Sequence, residues 1–477
     1  MPASDLPVLG AARENRCPVR PFFFKGLLFL WKYLQSMNKS PMCMEIGLSQ
    51  PAFLNTSLKA KSIMNTFQKL SAALLICVAP AFADDRLGVV THFDQGWNPA
   101  KVIPLIPAAG FGWIRDDLNW EQFEPVRGQY VLPQSFIDWV TTAEQFGLKV
   151  DLCIAKGNNI YANPYDLSKF SKAVAWLAAQ SKAFPAVQAI EILNEPNKDY
   201  RRVEGPQWKR KYVNLLNSAY AAIRLAYPQM TVLGLGAKAG DDFTMMSFGV
   251  NADGLTAHPY PVALPVPESV DEPPFFTFAD FNDAWVQHDI RPRWDTAWGC
   301  STDFGISQYS QSLFIGRRLC QSMGMGVSHT FIYDFKDGPN QMFGIVDAAL
   351  NQKQSYKVVQ RVMSSLSGLA PVGGDLYVNP EYSDSDFDYA NFYGFSFQNG
   401  ETSVAVAWTG NSYPSQAFFT SHKGRLSFTH PAPTHSLTEL NPITGETHTV
   451  SGWEQYGDRV VIYSADVTNE PVLYIAK

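Results

Sequence analysis

The chain has 477 residues, which is too long for one ordinary domain but fits one large domain with a smaller module. Its hydrophobic content of 46% is that of a globular protein, and its formal net charge of −6 argues against nucleic acid or an anionic membrane as a partner.

The first 83 residues are interpreted as lying outside the mature fold. A short positive head, Met64 to Lys69, precedes an apolar run over residues 70–80 and the small-x-small site Ala81-Phe82-Ala83, which is typical of a secretory signal peptide. We therefore predict a signal peptide over residues 64–83 and a secreted or periplasmic protein. Residues 1–63 are interpreted as an over-extended, disordered start.

The upstream segment also contains an apolar run, residues 21–31, but Lys25 interrupts it. This run is shorter than the roughly 20 residues that cross a bilayer, so no membrane span is expected after signal cleavage. The leader holds nine Lys or Arg and three Asp or Glu, so its removal takes the net charge from −6 to −12. Nucleic acid is an even less suitable partner for such a chain.

Three cysteines follow the predicted cleavage site, at Cys153, Cys300 and Cys320. This odd and sparse set is no disulfide framework, so the fold must be held by its hydrophobic core. The sequence carries no signal for an oligomeric state.

From Asp84 onward, strand and helix patterns alternate over about 280 residues, which indicates a parallel α/β sheet. Strands are predicted at residues 87–92, 112–117, 149–154, 189–193, 231–235, 254–261, 292–296 and 327–334. Helices are predicted at residues 97–109, 133–146, 168–181, 206–226, 307–323 and 355–366, with Asp166 as an N-cap.

After Gly368 the pattern changes to short alternating strands separated by turn signals such as Asn399-Gly400 and Thr444-Gly445. The clearest strands are residues 392–397, 402–408, 436–440, 447–450, 459–463 and 472–475. The sequence therefore predicts an α/β protein: a (β/α)₈ TIM barrel over residues 84–367, followed by a β-sandwich over residues 368–477.

The fourth predicted strand runs into Asn194-Glu195 and is stopped by Pro196, which cannot donate a ladder hydrogen bond. Reacting groups of such barrels sit at the C-terminal ends of the strands, so Glu195 is the first candidate for chemistry. The structural alternative is a strand-end glutamate that caps the next helix.

Asn194-Glu195-Pro196 resembles the fourth-strand signature of the clan A retaining glycoside hydrolases. The loop over residues 120–130 resembles the loop after their second strand, and His258-Pro259-Tyr260 resembles the tip of their sixth. The chain is similar to glycoside hydrolase family 39 and its relatives that act on bacterial exopolysaccharides. The resemblance implies a polysaccharide or oligosaccharide substrate, with Glu195 as the general acid/base.

Retaining hydrolysis needs two carboxyl groups about 5–5.5 Å apart. The family's nucleophile ends the seventh strand, in a Trp-x-Thr-Glu-x-Gly pattern that here reads Trp294-Asp295-Thr296-Ala297-Trp298-Gly299, with alanine at the expected position. Three interpretations follow. In the first, the chain is a hydrolase scaffold that lacks its nucleophile and is inactive or strongly impaired. In the second, it is a non-catalytic secreted glycan-binding protein. In the third, it is an enzyme that recruits Asp295, Asp303 or Asp334 as the nucleophile.

The resemblance also implies supporting roles. Asn194 would orient the sugar 2-hydroxyl, and His258 and Tyr260 would line the cleft near position 297. Arg115 would either hold the nucleophile ionised or neutralise Glu191.

Several aromatic residues are candidates for stacking on sugar rings, with core packing as the alternative for each: Trp298, Tyr333, Trp120 and Tyr161. The sequence contains no HExxH, no CxxC and no phosphate-binding glycine loop. No metal and no cofactor are therefore predicted.

Overall fold

The computed structural model describes residues 83–261, 266–303, 305–339, 341–380, 391–410 and 421–477. The predicted signal peptide (apart from Ala83) and the segment before it lie outside these residues and stay predictions. Within the described ranges, none of the helices combines the length and the hydrophobicity that a transmembrane segment needs.

The predicted barrel is confirmed by eight parallel strands that close on themselves. The strands of this part of the chain are β1 Asp84–Val90, β2 Phe111–Asp117, β3 Lys149–Ile154, β4 Val187–Ile192, β5 Thr231–Leu235, β6 Gly254–Ala257, β7 Ser269–Glu272, β8 Phe275–Thr277, β9 Arg293–Trp298 and β10 His329–Ile332. β7 and β8 form a hairpin outside the barrel, and the other strands are neighbours in chain order, with β10 pairing back to β1.

Helices cover the outside of the barrel. They are α1 Pro99–Val102, α2 Leu105–Ala108, α3 Trp120–Phe123, α4 Gln134–Gln145, α5 Leu167–Ser181, α6 Asp199–Glu204, α7 Trp208–Ala226, α8 Ala239–Met246, α9 Phe278–His288, α10 Gln308–Gly324 and α11 Gln354–Leu366. The long amphipathic helices lie close to their predicted positions, and Asp166 caps α5 by accepting a hydrogen bond from the Lys169 amide.

Two helical predictions need correction. Residues 97–109 form two short helices, α1 and α2, instead of one, because Pro104 and Pro107 each lack an amide proton for a continuous hydrogen-bond ladder. The helices α3, α6, α8 and α9 were not predicted, since each is short or lies in a stretch of mixed polarity.

The C-terminal part folds into two antiparallel sheets that share a core. The strands are β11 Ala370–Val372, β12 Tyr377–Pro380, β13 Phe392–Gln398, β14 Ser403–Thr409, β15 Ser421–Thr429, β16 Leu437–Leu440, β17 Thr447–Thr449, β18 Trp453–Tyr456, β19 Arg459–Thr468 and β20 Val472–Ala476. One sheet has the order β11-β13-β14-β20-β16-β17 and the other β12-β15-β19-β18. Ala405, Leu426, Val460 and Tyr474 pack between them, which confirms the predicted β-sandwich.

The Asn399-Gly400 turn joins β13 to β14 as predicted. Gly400 has a φ of 92°, in the left-handed region that favours glycine. The side chain of Asn399 accepts hydrogen bonds from the amides of Glu401 and Thr402. This local chemistry explains why the turn could be found from sequence.

Candidate functional site

A pocket of about 360 Å³ opens at the C-terminal end of the barrel strands. Seven of the eight site residues predicted from sequence line it: Arg115, Asn194, Glu195, His258, Tyr260, Ala297 and Tyr333. They come from the ends of β2, β4, β6, β9 and β10 and from the segments that follow, so closure of the barrel is what brings them together.

The chain bends sharply where it leaves β4. Leu193 and Glu195 have positive φ values of 64° and 45°, which are unfavourable for residues that carry a Cβ. The bend is held by hydrogen bonds from the Leu193 amide to the Ile154 carbonyl at 3.2 Å and from the Lys198 amide to the Glu195 carbonyl at 2.9 Å. Backbone strain of this kind is concentrated at functional sites.

The bend presents the carboxylate of Glu195 to the pocket, and its side chain is 23% exposed. Lys198 pairs with one carboxylate oxygen, and His258 Nδ1 lies 3.5 Å from the other. Burial raises the pKa of Glu195, but the hydrogen bonds and charges of His258 and Lys198 outweigh it and bring the pKa to about 2. Glu195 is therefore a carboxylate at neutral pH.

A buried network forms the floor of the pocket. Arg115 Nε donates to Glu191 Oε2 at 2.6 Å, and Arg115 Nη2 donates to Asn194 Oδ1 at 3.0 Å. Of the two roles considered for Arg115, its geometry supports neutralisation of Glu191. The same contacts hold the side-chain oxygen of Asn194, which leaves the amide NH₂ group to face away from the arginine.

Thr296 continues this network toward β6 and β9. Its hydroxyl donates to Glu191 Oε1 at 3.2 Å and lies 3.1 Å from His258 Nε2. Burial and the charge of Glu191 raise the pKa of the neighbouring Asp151 well above its usual value. The floor thus couples four strands through hydrogen bonds.

β9 carries an irregularity that determines which side chains reach the pocket. Trp294 and Asp295 pair with His329 and Thr330, but Trp298 pairs with Ile332, so β9 has one more residue than β10 in this interval. Such a bulge re-aims side chains. Thr296 reaches Glu191 in the interior, and the next residue, Ala297, points to the same side and lines the pocket.

The bulge turns Trp298 away from the pocket, which corrects its prediction as a substrate-binding residue. Its indole is fully buried, and Nε1 donates to Thr330 Oγ1 at 2.6 Å. The ring packs toward Phe314 of α10, with 6.3 Å between the ring centroids. Trp298 therefore belongs to the core between the barrel and its helices.

Asp295 is also corrected, because it does not share a face with Ala297. Its carboxylate is fully buried and lies 2.9 Å from Arg293 Nε, while the Arg293 guanidinium lies over Phe278 and Phe281 of α9. Asp295 therefore faces the helices and cannot replace a nucleophile in the pocket.

The other two carboxylates considered from sequence are also engaged elsewhere. Asp303 accepts hydrogen bonds from the Ser301 hydroxyl at 2.5 Å and from the Met342 amide at 3.0 Å. Asp334 is buried 3.6 Å from His92 Nε2. Neither residue lines the pocket.

Six lining residues were missed from sequence: Val90, His92, Asp117, Lys198, Gln341 and Phe343. Asp117 ends β2, so the strand-end rule that selected Glu195 could have found it. Burial raises the pKa of Asp117. Lys198 is the partner of Glu195.

One wall of the pocket is aromatic. The ring of Tyr333 lies edge-on to His92, Tyr260 and Phe343, with centroid distances of 5.7, 6.4 and 5.3 Å. The Tyr333 hydroxyl donates to Gln341 at 2.8 Å. Aromatic rings with polar tips can pack on apolar faces while binding hydroxyl groups.

Trp120 and Tyr161 lie outside this wall. Their rings stack on each other with 5.1 Å between centroids, and both donate hydrogen bonds to Glu124. Among the described residues, no group of three or more His, Cys, Asp or Glu side chains is arranged to hold a metal ion.

No family model matches this chain, and no curated protein matches it. A family 39 glycoside hydrolase from the gut symbiont Bacteroides cellulosilyticus WH2 is similar in structure, with a TM-score of 0.60, 22% identity and coverage of 82% of this chain and 81% of that one.

Two glycoside hydrolase family 30 structures are also similar. The subfamily 8 xylanase from Clostridium acetobutylicum has a TM-score of 0.53 and 12% identity, with coverage of 83% of this chain and 96% of the other. The endoxylanase from Clostridium papyrosolvens C71 has a TM-score of 0.54 and 13% identity, with 83% and 97% covered. At these identities, the likeness establishes that the chain shares the barrel-and-sandwich fold of these proteins.

Proposed function

We propose that this protein is a retaining glycoside hydrolase scaffold that binds a polysaccharide or oligosaccharide in the 360 Å³ pocket. Glu195 occupies the general acid/base position, and Ala297 occupies the position of the nucleophile. The observation that carries the proposal is that the Glu195 carboxylate and the Ala297 methyl group line one polar pocket at the strand ends. The fold shared with glycoside hydrolases supports it.

Two consequences follow for the chemistry. An alanine cannot attack an anomeric carbon, so we expect hydrolysis to be strongly impaired in the chain as it stands. In addition, a nucleophile carboxylate raises the pKa of a neighbouring acid through like-charge repulsion, and that effect is missing here. With a pKa of about 2, Glu195 does not hold a proton to donate at neutral pH.

The second candidate is a non-catalytic glycan-binding protein. The pairing of Glu195 with Lys198 and His258 favours it, because this carboxylate is already partnered as a stable ion. The two candidates agree on the ligand class and differ in whether the pocket can perform hydrolysis once a carboxylate is restored.

The test is the Ala297→Glu variant, compared with Ala297→Gln and the parent chain on a panel of oligosaccharides. Ala297→Gln has nearly the same size but no charge, so it controls for filling the pocket. Under the first candidate, Ala297→Glu hydrolyses a bound oligosaccharide at least about 10³-fold faster than either comparison protein.

A second measurement separates the candidates in the parent chain. Azide or formate at high concentration can occupy the space next to the Ala297 methyl group. Either anion should then accelerate cleavage of an activated aryl glycoside. If oligosaccharides bind but neither the anions nor Ala297→Glu produces hydrolysis, the protein is the glycan binder. If no saccharide binds the pocket, both candidates fail.

We also propose that the protein is exported, to the periplasm or the medium, because residues 64–83 have the pattern of a signal peptide. Mass spectrometry of the protein recovered from expressing cells tests this. An N-terminus at Asp84 is the expected result, and an N-terminus upstream of Asp84 in an exported protein contradicts the predicted cleavage.

A further inference from the structure

The segment that follows Glu195 is strongly basic. Residues 198–211 contain six Lys or Arg and two Asp or Glu, in a chain whose formal net charge is −6. We call this segment the basic rim. It comprises α6 and the start of α7, and it follows directly on the bend that presents Glu195. Its charge is opposite to that of the protein as a whole.

The basic rim is continuous with the proposed binding pocket. Lys198 lines the pocket itself, a neighbouring cavity of about 120 Å³ and an open groove of about 540 Å³. Arg201 and Arg202 line the open groove, and Lys156 at the end of β3 lines the small cavity. A polymeric ligand that extends from the pocket on this side therefore passes four cationic side chains.

Part of this positive charge is free to meet a ligand. Within the described part of the chain, Lys198 pairs with Glu195, Arg202 with Asp199 at 2.9 Å and Lys211 with Glu204 at 2.8 Å. Arg201 has no carboxylate within ion-pair distance among the described residues. The Lys198 and Arg202 side chains are 66% and 77% exposed, so both cations are reached by solvent and can exchange their present partners for a ligand carboxylate.

We propose that the groove along the basic rim binds the continuation of an anionic polysaccharide, one that carries carboxylates such as those of uronic acid residues. This rests on the proposed glycan-binding function of the pocket. Local positive charge on a negative protein attracts such a chain and selects it over a neutral one. Arginine adds specificity, because its planar donor pairs match the two oxygens of a carboxylate.

Binding of Lys198 to a carboxylate of the ligand has a further effect on Glu195. Lys198 and His258 together lower the pKa of Glu195 and keep it ionised. A ligand carboxylate that takes Lys198 away would allow the pKa of Glu195 to rise. An anionic substrate would thereby move the acid/base residue toward its proton-carrying form.

The experiment measures binding of acidic oligosaccharides built from galacturonate, mannuronate or glucuronate units. Each is paired with its carboxyl-reduced form, which removes the charge and keeps the sugar stereochemistry and linkages. The full chain is tested with Arg201→Glu, Arg201→Gln and the control Lys172→Glu, an exposed lysine on α5 with the same change of charge as Arg201→Glu.

We expect at least one acidic member to bind more tightly than its reduced form, with affinity that falls as salt rises. Arg201→Glu should weaken this binding about fivefold or more, Arg201→Gln should weaken it less, and Lys172→Glu should leave it unchanged. If each acidic oligosaccharide and its reduced form bind equally tightly, and Arg201→Glu changes neither affinity, this inference is overturned and the proposed glycan-binding function stands. Failure of every saccharide, acidic and reduced, to bind overturns both.

Discussion

At the end of β4, two neighbours determine the charge state of one carboxylate. Lys198 pairs with Glu195 directly, and His258 Nδ1 lies 3.5 Å away, so the pKa of Glu195 falls from the ordinary 4.5 to about 2. A carboxylate whose pKa is lower in the folded than in the unfolded state stabilises the fold at pH values above the unfolded pKa. This stabilisation is lost as the pH falls toward the folded pKa.

The Glu195→Gln variant tests this assignment. Its free energy of unfolding should lie below that of the parent chain at pH 7, and the difference should shrink as the pH falls from about 4.5 toward 2. Urea unfolding at several pH values measures it, with Glu144→Gln, an exposed glutamate on α4, as the control. A difference that grows on acidification would contradict the lowered pKa.

At the scale of elements, the ends of β9 and β10 position the two sides of the pocket. Gly299 follows β9, and a Cβ at this position would lie 1.9 Å from the Tyr333 carbonyl oxygen and 3.2 Å from Phe343. The close approach of the two backbones therefore requires glycine. It holds Ala297 beside Tyr333 and the aromatic wall.

Gly299→Ala is expected to destabilise the fold by roughly 3 kcal/mol, because backbone atoms must move to admit the methyl group. It should also weaken oligosaccharide binding, since Tyr333 moves with its carbonyl. Gly373→Ala is the matched control, because a Cβ there meets no atom within 4 Å and the change should stay within about 0.5 kcal/mol. Thermal unfolding and binding titrations measure the two effects, and equal stability of the two variants would refute the steric argument.

At the scale of the whole molecule, the barrel and the sandwich are joined by a buried interface. One hydrophobic cluster contains Leu319 of α10 together with Val406 and Trp408 of β14. Arg317 of α10 is fully buried; its Nε lies 3.0 Å from Glu268, and its Nη2 donates to the Thr409 carbonyl at 2.9 Å. A continuous core, together with hydrogen bonds from Arg317 to Thr409 and from Trp408 to Glu268, indicates that the two parts unfold together.

Glu268→Gln tests this coupling. The amide can still accept the hydrogen bond from Trp408 Nε1, but Arg317 is left as a buried charge without its counterion. We expect a loss of about 3–5 kcal/mol and a single calorimetric transition at lower temperature. The exposed Glu401→Gln should leave the transition in place. A variant in which only one of two transitions moves would show that the barrel and the sandwich unfold independently.

The sequence by itself determined the eight strands of the barrel, the sandwich that follows them, and the position of Glu195. These follow from local information: hydrophobic periodicity, turn residues such as Asn399-Gly400, and the rule that chemistry sits where parallel strands end. The same rule would have found Asp117. Such short-range patterns can be recognised without knowing which distant residues each segment contacts.

Only the tertiary structure decided which side chains meet in the pocket. The bulge in β9 turned Trp298 toward the helices and brought Ala297 into the pocket, and it is visible only in the pairing of β9 with β10. Arg115 of β2 donates a hydrogen bond to Glu191 of β4, which lies 76 positions later in the chain. The physical reason is that strand register and side-chain facing depend on hydrogen bonds between segments distant in sequence, which no local pattern of residues encodes.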